Sequence, residues 1–155
     1  MRSARRLIAP ALLAGVATTA ALWLVPAQAA TTESTYQHQA FAATNKQRVH
    51  HDRVELRARD CVQRFAVKQA RRQARQDRMF HQDLGPVMRE CGLSSAGENV
   101  AYGFSSGRSV VNNGWMHSEG HRANILNPQF RLMGIGARKS ASGRWYVAQV
   151  FGRSA

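Results

Sequence analysis

Residues 1–29 decide how much of this 155-residue chain is left to build a folded domain. They open with three arginines, continue with an apolar run over residues 7–25, and close on the small-residue pattern Ala27-Gln28-Ala29. A cationic start, an apolar centre and a small-x-small site are the three parts of a cleavable export signal. We therefore predict a signal peptide over residues 1–29 and a secreted, extracellular protein. Cleavage is expected after Ala29 or, as a second choice, after Ala30.

A retained membrane anchor is the alternative, because the apolar run approaches the roughly 20 residues that span a bilayer. Two threonines inside the run and helix-breaking Pro26 favour cleavage. After cleavage we expect no transmembrane segment, and the remaining stretch of about 125 residues fits one domain. We divide it into a short leader over residues 30–35 and a domain over residues 36–153, which we expect to be a monomer.

The exported part is strongly basic. Three of the 22 lysines and arginines precede the predicted cleavage site, which leaves 19 against 9 acidic residues and a net charge of +10. Such a field attracts anionic surfaces over a long range and weakens with salt. We expect an anionic cell-envelope polymer or lipid as the partner, and charge that serves solubility alone is the alternative. Aromatic residues are not interleaved with the basic ones, so we predict no specific nucleic-acid recognition.

Cys61 and Cys91 are the only cysteines of the chain. An even number of cysteines in an exported protein favours a disulfide, because oxidising surroundings let the bond persist. We predict that the two residues pair, and two buried free thiols are the alternative.

Apolar spacing and turn residues predict an α+β domain. A first helix is predicted over residues 36–48, and a long amphipathic helix over residues 54–79 with one narrow apolar face and a basic remainder. Four arginines lie between Arg71 and Arg78, where a polyanion contact or a merely solvated face is expected. Glycine-rich punctuation follows, and it predicts a strand over 98–102, a short helix over 109–116, and a hairpin of strands 131–138 and 145–151. Together these elements indicate helices that cover a small antiparallel sheet.

Polar residues that suit chemistry cluster in the second half of the chain. His81, Glu98 and His121 offer two imidazoles and a carboxylate, which together with water describe a catalytic zinc site if the fold brings them together. His117 and His121 are a rival pair at helical spacing, although Gly120 between them weakens a helix by about 1 kcal/mol. Zinc or a similar divalent metal is the only cofactor that these residues suggest.

Two readings need no metal. Ser118, His121 and Glu98 are the residue types of a serine hydrolase, but no nucleophile elbow or oxyanion hole is recognisable. Alternatively, a glutamate bonded to a histidine ties a strand to a neighbouring element, at about 1 kcal/mol for each hydrogen bond. Asn99, beside Glu98, is expected to fix a turn or the wall of a cleft.

The sequence resembles bacterial members of the CAP superfamily, which comprises the cysteine-rich secretory, antigen 5 and pathogenesis-related 1 proteins. The resemblance runs from about Thr35 to Gly152, and the order and combination of its motifs make it specific. The matching motifs are Asn45-x-x-Arg48, Met79-Phe80-His81, Gly97-Glu98-Asn99, the string from Trp115 to Pro128, Gly134-Ile135-Gly136 and Val150-Phe151-Gly152.

The resemblance implies a secreted three-layer α-β-α sandwich whose cleft collects two histidines and two acids. His81, Glu98 and His121 match three of these places, whereas the fourth is Ser118 instead of an acid. A cleft that lacks one carboxylate has less negative charge to hold a divalent cation. We therefore expect a non-catalytic extracellular domain that binds lipid or cell-envelope material. A metal-dependent, peptidase-like hydrolase and a purely structural or interaction domain are the alternatives.

Overall fold

The computed structural model describes residues 32–155, and the predicted signal peptide with its cleavage site lies outside them. Five α-helices and four strands make up the described part. A five-residue π-helix, Val110–Gly114, and a 3-10 turn, Trp115–His117, follow directly after α4. In chain order the elements are α1 (Glu33–His50), β1 (Arg57–Ala58), α2 (Asp60–Gln76), α3 (Leu84–Cys91), β2 (Leu93–Tyr102), α4 (Gly107–Ser109), α5 (Glu119–Leu126), β3 (Leu132–Lys139) and β4 (Trp145–Ser154).

The four strands form one sheet in the order β1-β3-β4-β2. Strands β3, β4 and β2 are antiparallel, and the short β1 pairs in parallel with the outer side of β3. The predicted β3–β4 hairpin is confirmed, with Lys139 opposite Trp145 at its closed end. The prediction of an antiparallel sheet is therefore correct for β2, β3 and β4, whereas β1 adds a short parallel strand at one edge.

Helices cover both faces of this sheet, as the fold prediction required. Alternate residues of a strand point to opposite faces, so Met133 and Ile135 of β3 pack against α1, the segment after α4, and α5. Leu132 of β3 and Val150 of β4 point the other way, into a second core shared with α2 and α3. The protein is a three-layer α-β-α sandwich, confirming the predicted fold class.

Helix α2 lies unusually close to β3, and two glycines permit this approach. A Cβ on Gly134 would lie 2.6 Å from the backbone N and Cα of Gln63, and one on Gly136 would overlap the carbonyl oxygen of Ala66. The Gln63 side chain uses the short distance, since its Nε2 donates to the carbonyl of Ile135 (2.7 Å) and its Oε1 accepts from the amide of Ile135 (2.8 Å). The Gly134-Ile135-Gly136 motif therefore fixes α2 against the sheet.

Several element boundaries differ from the sequence prediction. Helix α1 begins at Glu33, inside the segment assigned to the leader, because Thr32 caps it by accepting from the amide of Thr35 (3.1 Å). Helix α2 begins at Asp60 rather than at residue 54. The preceding segment is held extended by Asn45, whose side chain bonds both the amide (2.9 Å) and the carbonyl (3.0 Å) of Leu56.

The predicted disulfide is confirmed between Cys61 at the start of α2 and Cys91 at the end of α3. Helix α3 itself was not predicted, and it contains Gly85 and Pro86, two residues that disfavour a helix interior. Both residues occupy its first turn, where backbone amides have no partner within the helix, so the missing amide hydrogen of proline costs no hydrogen bond. Asp83 caps the helix by accepting from the amide of Gly85 (2.9 Å). The bridge thus joins the two helices that flank the loop carrying His81.

Candidate functional site

The loop between α2 and α3 presents His81 to Glu98 of β2. The Nδ1 atom of His81 lies 2.7 Å from Oε2 of Glu98, and the glutamate side chain is 2% exposed while the imidazole is 61% exposed. Gln82 supplies two further donors, its amide to Oε2 (3.2 Å) and its Nε2 to Oε1 (2.7 Å). Both carboxylate oxygens are therefore occupied by groups of the loop.

Two buried glutamines on α2 hold this loop in place. Gln69 and Gln73 both donate their Nε2 hydrogens to the carbonyl of Phe80, the second at 2.7 Å. The Phe80 ring lies between the guanidinium groups of Arg72 (5.2 Å) and Arg78 (5.1 Å). Helix α2 thereby sets the position of His81, the next residue in the chain.

His121 comes from the opposite helical layer. Its Nδ1 lies 2.9 Å from Oγ of Ser118, the residue that precedes the first turn of α5. Partial burial lowers the pKa of His121, and the positive field of His81 lowers it further. The neutral imidazole is therefore favoured.

A buried polar network centred on Asn99 fixes α5 against the sheet. The Nδ2 atom of Asn99 donates to the carbonyl of His121 (3.1 Å) and to Oε1 of Gln149 (3.0 Å), while its Oδ1 accepts from Nδ2 of Asn124 (2.9 Å). Gln149 continues the network to Oγ1 of Thr44 in α1 (2.8 Å). Asn99 thus holds the helix that carries His121.

The four residues of the predicted cleft therefore form two separate pairs, His81 with Glu98 and Ser118 with His121. No hydrogen bond joins Glu98 to His121 in the described residues, so the acid that a serine hydrolase needs to orient its histidine is absent there. The rival helical pair was wrong, because His117 lies in the 3-10 turn and Ser118 has an extended backbone before α5 begins. The two histidines of that pair do not share a helix face.

The residues do not fit a three-ligand zinc site. Within residues 32–155 no group of three or more His, Cys, Asp and Glu side chains is arranged to hold a metal ion. Glu98 is committed to His81 and Gln82, and Ser118 stands where a second acid would lie. Only the two imidazoles remain, fewer than the three protein ligands of a catalytic zinc.

Sequence reasoning missed the residues that hold the site together. They are Thr44, Gln69, Gln73, Gln82, Asn124 and Gln149. One available signal was the position of Gln69 and Gln73 on the apolar face of α2, where a polar side chain needs a buried partner. The other residues pair with partners that are distant along the chain, through strand register for Gln149 and through loop and helix packing for Gln82, Asn124 and Thr44.

The fold agrees with the comparisons with known proteins. The model of the cysteine-rich secretory protein family, CAP, matches residues 41–151. This chain belongs to the CAP family. An uncharacterized Bacillus subtilis protein, YkwD, is 33% identical to this CAP protein in an alignment 118 residues long, which covers 70% of this chain and 45% of that protein.

Two solved structures share the CAP fold seen here. An extracellular protein with an SCP domain from Bacillus anthracis is 29% identical, with a TM-score of 0.70 over 79% of this chain and 41% of that one. A cysteine-rich secretory protein from Staphylococcus aureus is 19% identical, with a TM-score of 0.68 over 79% and 39%. This CAP chain spans less than half the length of these three relatives. Among residues 32–155 no helix is both long and apolar enough to cross a bilayer.

Proposed function

We propose that this CAP protein is secreted and acts by binding anionic material of the cell envelope. One observation carries the proposal: the exported part has a net charge of +10, and among the described residues few of its cations are held in ion pairs. Within residues 32–155 the only arginine in an ion pair is Arg138, whose Nη1 lies 2.7 Å from Oε1 of Glu33. The other ion pair joins His81 to Glu98. Free surface cations of this number attract polyanions and repel other cations.

The state of the cleft supports binding over catalysis. The carboxylate of Glu98 accepts three hydrogen bonds from His81 and Gln82, and since a carboxylate has about four lone-pair sites, little capacity is left for a metal ion or a substrate proton. We therefore assign this pair a structural role, in which Glu98 ties the loop between α2 and α3 to the sheet. Each such bond to a charged group contributes about 1.5–3 kcal/mol.

Secretion is supported by three independent features. The N-terminal residues carry the pattern of an export signal, the Cys61–Cys91 bridge suits an oxidising compartment, and the similar Bacillus anthracis protein is described as extracellular. The carboxylates and phosphates of an envelope would then be the anions that this protein meets first.

Co-sedimentation with purified bacterial cell envelopes tests the proposal. We expect saturable binding that falls steeply as NaCl is raised from about 50 to 200 mM, because displaced counterions drive the association. A His121→Ala variant is the matched control for the cleft and is expected to bind as the wild type does. Binding that salt leaves unchanged, or that the His121→Ala substitution abolishes in a folded protein, would contradict the assignment of function to the basic exterior.

A further inference from the structure

The outer face of α2 carries a straight row of four cations, Arg64, Lys68, Arg71 and Arg75, which we call the outer stripe. All four side chains are exposed. At about 100° per residue they fall within an arc of about 60°, directly opposite the core-facing residues of α2. With a rise of about 1.5 Å per residue, neighbouring charges are about 4.5–6 Å apart and the row is about 16 Å long.

The outer stripe is free to bind. None of its side chains makes a hydrogen bond or an ion pair with another of the described residues. Buried Arg48, by comparison, donates to the carbonyls of Val54 (2.7 Å) and Ile125 (2.7 Å). Four like charges at this spacing repel one another, and an anionic partner relieves that repulsion.

Shallow grooves with apolar floors run along both sides of the outer stripe. One, of about 450 Å³, contains Val67 and Gln63 beside the four cations. The other, of about 240 Å³, contains Phe65, Arg64, Lys68 and one acid, Glu90. A ligand that follows the stripe therefore meets alternating cationic and apolar surface.

We propose that the outer stripe binds a linear phosphodiester polymer with short aliphatic linkers, of the poly(glycerol phosphate) type. This inference rests on the proposed function and adds the ligand class and the binding residues. Arginine, which supplies three of the four cations, pairs with phosphate through two parallel hydrogen bonds. The linkers lie against Val67 and Phe65, where the amide groups of a polypeptide polyanion would lose their hydrogen bonds to water.

The geometry favours this polymer over a nucleic acid or a single lipid headgroup. Base stacking needs exposed aromatic rings along the binding surface, and the outer stripe has none, since Phe65 is half-buried below it. A headgroup requires cations that converge on one point, whereas these four are spread along the helix. A polymer with regularly repeated charges uses all four at once.

The test uses protein purified from cells that express the full chain and measures its Kd for synthetic poly(glycerol phosphate) in a salt series. The stripe variant is Arg64→Gln/Lys68→Gln/Arg71→Gln/Arg75→Gln. The matched control, Lys46→Gln/Arg108→Gln/Arg122→Gln/Arg153→Gln, removes the same charge from exposed side chains on other elements. Poly-glutamate and single-stranded DNA of equal charge are the competing ligands.

For the stripe variant we expect the slope of log Kd against log salt to be smaller by about 3, because each of the four lost phosphate contacts contributes about 0.7 to the slope. Between about 50 and 200 mM salt, the fold-decrease in affinity should therefore be ~50 times smaller for the stripe variant than for the wild type. The control variant should keep a slope close to that of the wild type.

Each other outcome overturns a distinct claim. Equal losses in the stripe and control variants would show that net charge alone binds, which overturns the outer stripe but leaves the proposed function intact. Tighter binding of DNA or poly-glutamate than of poly(glycerol phosphate) would overturn the ligand class. A wild-type protein that binds neither envelopes nor any of the three polymers at low salt would overturn the proposed function itself.

Discussion

Reduction of the Cys61–Cys91 bridge should cost this protein a large share of its stability. The bridged cysteines are 30 residues apart, and in the chain-entropy model a loop of that length restricts the unfolded state by about 12 cal/mol/K. The corresponding free energy is about 3.6 kcal/mol at 25 °C. Marginally stable domains have only about 5–15 kcal/mol in total.

This free energy converts into a measurable shift of the melting temperature. The described part has 124 residues, and an unfolding entropy of about 2.1 cal/mol/K for each gives a total of about 0.26 kcal/mol/K. The expected decrease in Tm on reduction is therefore about 14 °C. Reduction leaves both sulfur atoms in place, so the core around Cys91, which includes Val62 and Val87, keeps its volume.

Thermal unfolding followed by circular dichroism, with and without a thiol reductant, measures this shift. A Cys61→Ala/Cys91→Ala variant is the control for the reductant, and its Tm should be the same in both buffers. A decrease of less than about 4 °C in the wild type, equivalent to about 1 kcal/mol, would refute the reasoning. It would mean that the unfolded chain between α2 and α3 is already restricted without the bridge.

Four further substitutions test the packing of the fold and the contribution of one carboxylate. Arg48→Lys should lower the free energy of unfolding, measured in urea, by about 3 kcal/mol. One ammonium group cannot replace the buried guanidinium, which donates to the carbonyls of Val54, Ile125 and Asn127. A loss below about 1 kcal/mol would contradict this. Gly136→Ala should cost about 2–3 kcal/mol, because its methyl group overlaps the α2 backbone. Gly120→Ala, where space is open, should be neutral or slightly stabilising in the same urea titration. Hydrogen bonds from Ser140 and Ser142 lower the pKa of Asp77, so its stabilising contribution is present above the ordinary carboxyl pKa and disappears as pH falls through the lowered value. The Tm difference between the wild type and Asp77→Asn should therefore shrink from pH 6 to below about 3, and a constant difference would exclude this contribution.

The sequence predicted those parts of the fold that depend on local pattern. The hairpin followed from a turn between two apolar runs, and α2 followed from apolar residues at helical spacing. The start of α2 could not be predicted in the same way, because residues 54–59 have no local helix-breaking signal. They are extended because Asn45 of α1 binds Leu56 and because β1 pairs with β3. Both are contacts between distant parts of the chain.

The site was predictable from the resemblance to a family and not from spacing. His81 and Glu98 are brought together by the loop that Gln69 and Gln73 hold, and no regular period relates these positions. Asn99 and Gln149 are direct partners in the β2–β4 register. That register is set by the whole antiparallel sheet, so neither residue predicts the other by itself.

The Gly97-Glu98-Asn99 motif explains why the cleft lies where it does. Neighbouring residues of a strand point to opposite faces, so Glu98 faces the α2–α3 layer with its partner Val150, and Asn99 faces α1 and α5 with its partner Gln149. Gly97 leaves room for the Phe130 ring, which would lie 2.9 Å from an added Cβ.

Strand β2 is also an outer strand of the sheet, and Asn124 of α5 covers its free edge by donating to the carbonyl of Glu98 (3.2 Å). One strand therefore anchors a loop from one layer and a helix from the other. The motif thus fixes both the loop that carries His81 and the helix that carries His121. The Gly97-Glu98-Asn99 motif therefore connects both helical layers to the same strand, through the side chain of Glu98 on one face and the side chain of Asn99 on the other.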